Sequence, residues 1–352
     1  MPSEPTWPSL LETLIQGTDL SISESTWAMH QVMAGEATSA QLAGLLVALR
    51  IKGETVDEIV GFRDAVLENA VPLPVDPMVL DIVGTGGDPF GAVFNISSVA
   101  SIIAAAAGVP VVKHGNRGAS SLSGASDVLA ELGIDLGLAP DRVAGILDEV
   151  GITFVFAAAF HPGFRHAGPT RKELGVPTLF NILGPLCNPA RPEASAVGVA
   201  SLERVPLVVG VFQTRGATAL VYRGDDGIDK LTTTGHSHIW EVSRGSVTEH
   251  DLDPAELGIK RTTIESLLGK DAVHNAGVIR SVLAGDRGPV RDVVLLNAAA
   301  GLVAFDLANN PDQLRVSIVD RLAQQMGVAA GAVDSGAAAA KLEAWAAATQ
   351  RA

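Results

Sequence analysis

Apolar positions in the first seventy residues recur at helical spacing and are punctuated by polar pairs. Four Ser/Thr-x-x-Glu/Gln pairs, Ser9 with Glu12, Ser21 with Glu24, Thr38 with Gln41 and Thr55 with Glu58, each precede such a run. That pattern is a capping box at a helix start. Gly17, Gly35 and Gly53 stand where these helices should stop. Helices this short do not hold alone, so the segment is predicted to form a small bundle. The proline-rich stretch Pro72 to Pro77 ends it.

Beyond that stretch the pattern changes. Apolar runs at 78–83, 109–113, 152–157, 194–200 and 218–223 read as strands separated by helical stretches. Residues 236–242 and 246–251 read as an antiparallel pair, and 171–186 reads as partly helical, rejoining the first bundle. A second proline-rich patch, Pro185 to Pro192, marks a return crossing; from about Asp271 the chain is helical again, with Pro289 near a helix start. The predicted class is α/β: a small N-terminal helical bundle domain plus a larger α/β domain on a central mixed, mainly parallel sheet. The helical domain is expected at 1–73 with an inserted return segment near 171–188, and the α/β domain at 74–170 and 189–352.

Composition narrows the function. Of 352 residues 47% are apolar and only 4% aromatic, so the core rests on Ala, Val, Leu and Ile. The net charge of −14 argues against nucleic acid, which needs phosphate neutralisation. A local basic pocket in so acidic a chain would focus a small anion. The single cysteine, Cys187, sits in an apolar segment and reads as a packed residue, not a nucleophile. No apolar signal core is seen near Pro2, Glu4 and Pro8, and the longest apolar region, Val93 to Val112, is broken by Asn95, three serines and Pro110. A cytoplasmic protein with no membrane span is the expectation.

The chemistry concentrates between Val83 and Asp127. A short apolar run ends abruptly in Gly84-Thr85-Gly86-Gly87-Asp88, then come Asn95-Ile96-Ser97-Ser98, an alanine-rich segment and Lys113-His114-Gly115-Asn116-Arg117. Glycines let backbone N–H groups approach an anion, and Asn95 and the serines stand at a helix start. Lys113 and Arg117 add positive charge where the next strand ends. The spacing is neither the GxGxxG dinucleotide fingerprint nor a P-loop. Two anion-binding turns suit a substrate phosphorylated at both ends.

These motifs resemble the anthranilate phosphoribosyltransferases, members of the nucleoside phosphorylase/phosphoribosyltransferase class. So do Phe160-His161-Pro162 through Arg171-Lys172-Glu173-Leu174-Gly175, the run Phe180 to Pro189, and Gly224-Asp225-Asp226-Gly227-Ile228-Asp229-Lys230 with Thr232 to Thr234. The similarity runs in order from about Trp27 to the C-terminus. It implies transfer of the phosphoribosyl group of phosphoribosyl pyrophosphate (PRPP) to anthranilate, in tryptophan biosynthesis, by a homodimer joined through the helical domain. PRPP would be held by Gly84, Gly87, Asp88, Asn95, Ser97, Ser98, Lys113, Asn116 and Ser121. Anthranilate would meet Gly84, His114, Asn116, His161, Arg171 and Gly184. Taken alone, Arg171 reads as an exposed helix arginine; the resemblance makes it the carboxylate partner. His236, His238, His250 and His274 stay structural. No residue stands out as a strong base, so orientation and electrostatics should dominate.

In the family, Mg²⁺ ions, usually two, are held with the pyrophosphate by a serine, here Ser97, and an adjacent Asp-Glu pair, here Asp229 and Lys230. Lysine at the usual Glu position changes the local charge by two units. Either it swings to solvent while Asp225, Asp226 or water takes over, or its ammonium contacts the pyrophosphate itself. The loop between Asp88 and Asn95 is also one residue longer than is usual, and should bulge. Asp88 itself would bond a loop amide, a ribose hydroxyl or a hydrated metal, not phosphate. Rival readings are a paralogue with another aromatic acceptor, a nucleoside phosphorylase, and a catalytically weakened binding protein.

Overall fold

The computed structural model describes residues 4–91, 93–116 and 123–351. Four helices open the chain: α1 (Trp7–Ile15), α2 (Ile22–Ala34), α3 (Ser39–Lys52) and α4 (Val56–Glu68). Capping boxes at Ser21/Glu24, Thr38/Gln41 and Thr55/Glu58 start the last three, and Gly35 and Gly53 cap α2 and α3. The first box falls three residues earlier than the sequence suggests. Thr6 is the N-cap and Ser9 its reciprocal partner, because Pro8 fits the first turn, where no N–H is needed. Glu12 instead accepts from the Gln16 amide one turn on.

The sheet has seven strands: β1 (Leu80–Gly84), β2 (Val111–Gly115), β3 (Ile152–Phe156), β4 (Ala194–Gly198), β5 (Thr218–Gly224), β6 (Ser237–Ser243) and β7 (Ser246–Leu252). Their order is β3-β2-β1-β4-β5-β6-β7, parallel through the first five and antiparallel at β6 and β7. The sheet is thus mixed and mainly parallel, as the sequence predicts. β1 and β2 start two residues late. Each follows a proline, and Val79 N–H turns back onto the Pro77 carbonyl instead of joining the ladder.

The remaining helices are α5 (Ile96–Ala106), α6 (Ala125–Glu131), α7 (Pro140–Val150), α8 (Ala157–Phe160), α9 (Phe164–Leu174), α10 (Phe180–Leu183), α11 (Val205–Arg215), α12 (Ala272–Leu283), α13 (Pro289–Asn309), α14 (Ile318–Asp334) and α15 (Ala337–Gln350). Strand alternation sends Leu80, Ile82, Ala194, Ala196, Leu220 and Tyr222 into one core, shared with α5, α13, α14 and α15. Val83, Val197, Val199 and Val221 point the other way, into a core continuous with the N-terminal bundle. Helix α9 packs on α2 and α3. It begins at Phe164, earlier than expected, and carries Pro169 inside it.

From β1 the chain crosses to β2 and β3 on one side and later returns to β4 on the other. That reversal is a topological switch point, where open α/β sheets bind ligands beyond the carboxyl ends of their strands. Gly84 and Gly198 pair there, as the last residues of β1 and β4.

Candidate active site

The loop after Gly84 is shaped by close approach. A side-chain carbon on Gly84 would lie 2.0 Å from Asp229 Oδ2, and one on Gly198 would lie 1.7 Å from the Asp229 carbonyl. Only glycines at these paired strand ends admit Asp229 to the switch point. Gly86 N–H then donates to Asp229 Oδ2 at 2.8 Å, and Gly86 and Gly87 take the positive φ angles that turn the loop. Asp88 Oδ1 accepts from the Phe90 and Gly91 N–H groups at 3.0 and 2.8 Å. Of the partners the sequence allows it, Asp88 therefore has loop amides. Val93, at the far end of this loop, bridges to Leu268.

Next to this loop stands the start of α5. Asn95 donates to the Ser123 carbonyl and accepts from Asn275, which fixes its amide in place. Ser97 Oγ receives Lys113 Nζ at 3.3 Å, and the same ammonium donates to the Ile82 carbonyl at 2.8 Å. Lys113 is sealed, and burial pushes its pKa down to about 8 against the pull of Asp81. Ser98 is buried with its hydroxyl unpartnered. Asn116 follows β2, its carbonyl accepting from Ser126 N–H. Ser121 and Arg117 lie outside the described residues.

A second region opens at the end of β2. His114 Nδ1 lies 2.9 Å from the Gly184 carbonyl, leaving Nε2 without a partner; neither ring nitrogen of His161 meets hydrogen-bond geometry. Burial pushes both imidazoles down, His114 to about 3 and His161 to about 4. For His114 the neighbouring His161 adds to the shift; for His161 the Cys187 backbone weakly opposes it. Both rings are therefore neutral at pH 7. His161 packs on Phe164, Phe164 meets Phe180 edge to face, and the Arg171 guanidinium lies 4.9 Å above the Phe180 ring. Arg171 is half-buried, and among the described residues it has no carboxylate partner. Burial without an anion lowers its pKa. Neutral imidazoles, aromatic walls and an unpaired guanidinium suit a flat acid carrying an amine.

Sequence reasoning gave Phe164 and Phe180 no role, although Phe180 lies in a quoted motif. It also passed over Asp81, a lone acid in the apolar run 78–83. Asp81 Oδ1 accepts the His114 N–H and Oδ2 the Asn188 amide, tying β1, β2 and the proline-rich crossing together beneath the site. Burial raises its pKa to about 6, opposed by Lys113. Cys187 is fully buried with its thiol pKa pushed up by burial, consistent with a packed residue.

Lys230 does not swing to solvent. It is 9% exposed, and its ammonium lies 2.5 Å from Asp229 Oδ1 and 2.9 Å from the Asp229 carbonyl. Nor can Asp226 replace it, because its carboxylate accepts the Thr232 and Thr234 hydroxyls at 2.7 and 2.6 Å and the Ile228 N–H. Asp225 is exposed. Among the described residues no group of three or more His, Cys, Asp or Glu side chains is arranged to hold a metal.

A bundle joined to an α/β sheet, with a glycine loop and an arginine–aromatic cluster flanking the switch point, defines the class: a two-domain glycosyl transferase. The chain matches the glycosyl transferase family's helical bundle domain over residues 8–70 and its a/b domain over 76–339. It is 75% identical over 350 residues to an anthranilate phosphoribosyltransferase from Clavibacter michiganensis, covering 99% of this chain and 100% of that one. Identity is 54% to the namesake from an Arthrobacter strain, over 98% of this chain and 96% of that one. The crystal structure of anthranilate phosphoribosyltransferase from Thermus thermophilus superposes with a TM-score of 0.88 at 40% identity, covering 97% of this chain and 99% of that one. The Saccharomyces cerevisiae enzyme in complex with PRPP and Mg superposes at 0.87 and 26% identity, covering 99% of each. The protein belongs to the anthranilate phosphoribosyltransferase family.

Proposed function

We propose that the protein transfers the 5-phosphoribosyl group of PRPP to the amine of anthranilate, giving N-(5-phosphoribosyl)anthranilate and pyrophosphate, in tryptophan biosynthesis. The bond from ribose C1 to the pyrophosphate oxygen breaks and a C1–N bond forms. The amine loses one proton, and the leaving oxygen keeps the electron pair. The observation that carries this reading is the juxtaposition, across β1 and β2, of a glycine loop with a buried lysine and an aromatic slot with an unpaired guanidinium.

In this reading the backbone of Gly84, Gly86 and Gly87, with Asn95, Ser97, Ser98, Lys113, Asn116 and Ser121, binds PRPP, while Asp88 shapes the loop. Arg171 takes the anthranilate carboxylate and the Phe180 and Phe164 rings wall the slot. His114 and His161, held neutral, accept hydrogen bonds from the amine and orient it instead of acting as strong bases. Lys113 faces the charge that grows on the leaving group.

Mg²⁺ bound with the pyrophosphate oxygens would supply further neutralisation of that charge. The half-buried Ser97 hydroxyl suits such a hard ion. At Asp229 each oxygen already accepts one donor, Gly86 N–H or the Lys230 ammonium, and that ammonium opposes a second cation beside it.

We further read the protein as cytoplasmic and homodimeric. No helix among the described residues is long and apolar enough to cross a membrane. Exposed Ile15, Val47 and Ile51 on α1 and α3 supply an apolar face for a second copy of the bundle. The helical unit of 1–73 with its return near 171–188 is supported by the packing of α9 on α2 and α3. The test of the activity is the loss of anthranilate fluorescence when purified protein meets PRPP across a Mg²⁺ series. No loss at any concentration refutes it.

A further inference from the structure

We propose that Lys230 is a built-in cation of the pyrophosphate site: its ammonium takes the place of one divalent ion. The protein therefore binds PRPP with a single Mg²⁺ per chain and retains part of its PRPP affinity with no metal at all. This rests on the PRPP-binding reading above.

Three observations converge on Lys230. Its ammonium is 2.5 Å from Asp229 Oδ1, and the other Asp229 oxygen takes the Gly86 N–H, so this carboxylate already has a positive charge seated on it. A divalent ion would have to displace a buried ammonium that is itself a cation, against direct charge repulsion. The ammonium also lies at the mouth of the phosphate loop, 2.9 Å from where a Gly84 side-chain carbon would stand. It is near enough to Lys113 for its charge to add to the lowering of that group's pKa. Finally, the acids next to it in sequence are not free to substitute, since Asp226 is bound by two threonine hydroxyls and a backbone N–H.

An ammonium with three donors has one to spare once it has bonded the Asp229 carboxylate and carbonyl. That donor is the one a phosphate oxygen would meet. Lys230 is thus a binding residue for the leaving group, and its charge is present whatever the metal concentration.

The experiment counts Mn²⁺ by electron paramagnetic resonance on the full chain saturated with PRPP, with calorimetry of PRPP in chelator alongside. The expected count is one Mn²⁺ per wild-type chain and two for Lys230→Glu. In chelator, Lys230→Met should lose at least about tenfold in PRPP affinity, the scale of one charge-assisted hydrogen bond. Lys230→Met keeps the unbranched stem, one atom shorter, without its charge, so it reports even if Lys230→Glu fails to fold. Two ions in the wild type, or an unchanged metal-free affinity in Lys230→Met, overturns the proposal. Absence of PRPP binding to the wild type with Mn²⁺ present overturns the functional reading itself, and that outcome is recognisably different.

Discussion

His114 and His161 meet edge to face, their ring centroids 5.2 Å apart at 71°, and both are almost sealed from water. A second proton on either would be buried beside the other ring. Burial first, then the neighbouring imidazole for His114, hold the two below the usual histidine value, at about 3 and about 4. The sign follows from proton counting. The unfolded chain binds more protons between those values and 6.5, so the stabilising contribution is fully present above 6.5 and is lost as pH falls toward 4. Asp81, raised to about 6 by burial, works in the opposite direction between 6 and 3.8. The two histidines together outweigh the one aspartate, and unfolding free energy should drop by about 2 kcal/mol between pH 7 and pH 5. Denaturant titrations at the two pH values check this. His161→Gln should remove roughly half of the histidine contribution, and a pH-independent midpoint in the wild type would show that the rings are not sealed.

Arg171 has a ring beneath it and, among the described residues, no ion pair with an acid. Its charge is therefore free for an incoming carboxylate, and removing it should raise the anthranilate KM far more than it changes kcat. A charge-assisted contact of ~2 kcal/mol corresponds to about thirtyfold. Arg171→Lys should recover only part of this, because an ammonium makes no bidentate pair and stacks poorly on Phe180. Steady-state kinetics with PRPP saturating separates the outcomes; an unchanged KM in Arg171→Ala removes the residue from the acceptor slot.

Much of this architecture is legible from local chemistry. A capping box needs only four residues, so Ser21/Glu24, Thr38/Gln41 and Thr55/Glu58 announce their helices directly, while Pro8 moves the first box to Thr6. The strands follow from apolar runs, two residues late after Pro77 and Pro110 and one residue late at Ser237. The site divides in the same way. Gly84 to Asp88 and Lys113 stand out by residue type and position. The inward turn of Lys230 does not, because it depends on glycines at 84 and 198, far away in the chain, that leave room for Asp229. Phe180 beneath Arg171 is a relation between two helices, α10 and α9, which no spacing rule predicts. Pro169 looks like a helix break, yet α9 runs through it, so the returning helix starts seven residues before the expected 171.

Gly84 has a more specific role than flexibility. A methyl group there would stand 2.0 Å from Asp229 Oδ2. Gly84→Ala should push Asp229 off the Gly86 N–H and open the loop. The loop edge is partly solvent-exposed, so the protein should still fold. PRPP affinity should fall by at least about tenfold, the loss of one charge-assisted hydrogen bond. Calorimetry with PRPP measures it, and wild-type affinity in a folded Gly84→Ala protein would mean that the Asp229 contact does not shape the loop.

Stability should also depend on a cluster remote from the site. Arg321 on α14 forks onto Glu241 of β6 at 2.5 and 2.9 Å, and His250 of β7 lies 3.0 Å from the same carboxylate. Burial raises the Glu241 pKa, but the hydrogen bonds from His250 and Arg321 outweigh it and leave the carboxyl below its ordinary value. Arg321 and Glu241 are both sealed from water. Arg321→Ala would therefore strand a carboxylate with only a partly exposed histidine to compensate it, at a cost of about 3–5 kcal/mol. Replacing both partners, Arg321→Met with Glu241→Leu, removes the stranded charge as well, and should restore most of that loss. Denaturant unfolding of the two single variants and the double variant gives the coupling directly. The kinetic constants of the folded double variant should match the wild type, because neither residue approaches the switch point. Additive losses in the double variant would show that the pair does not act as a unit.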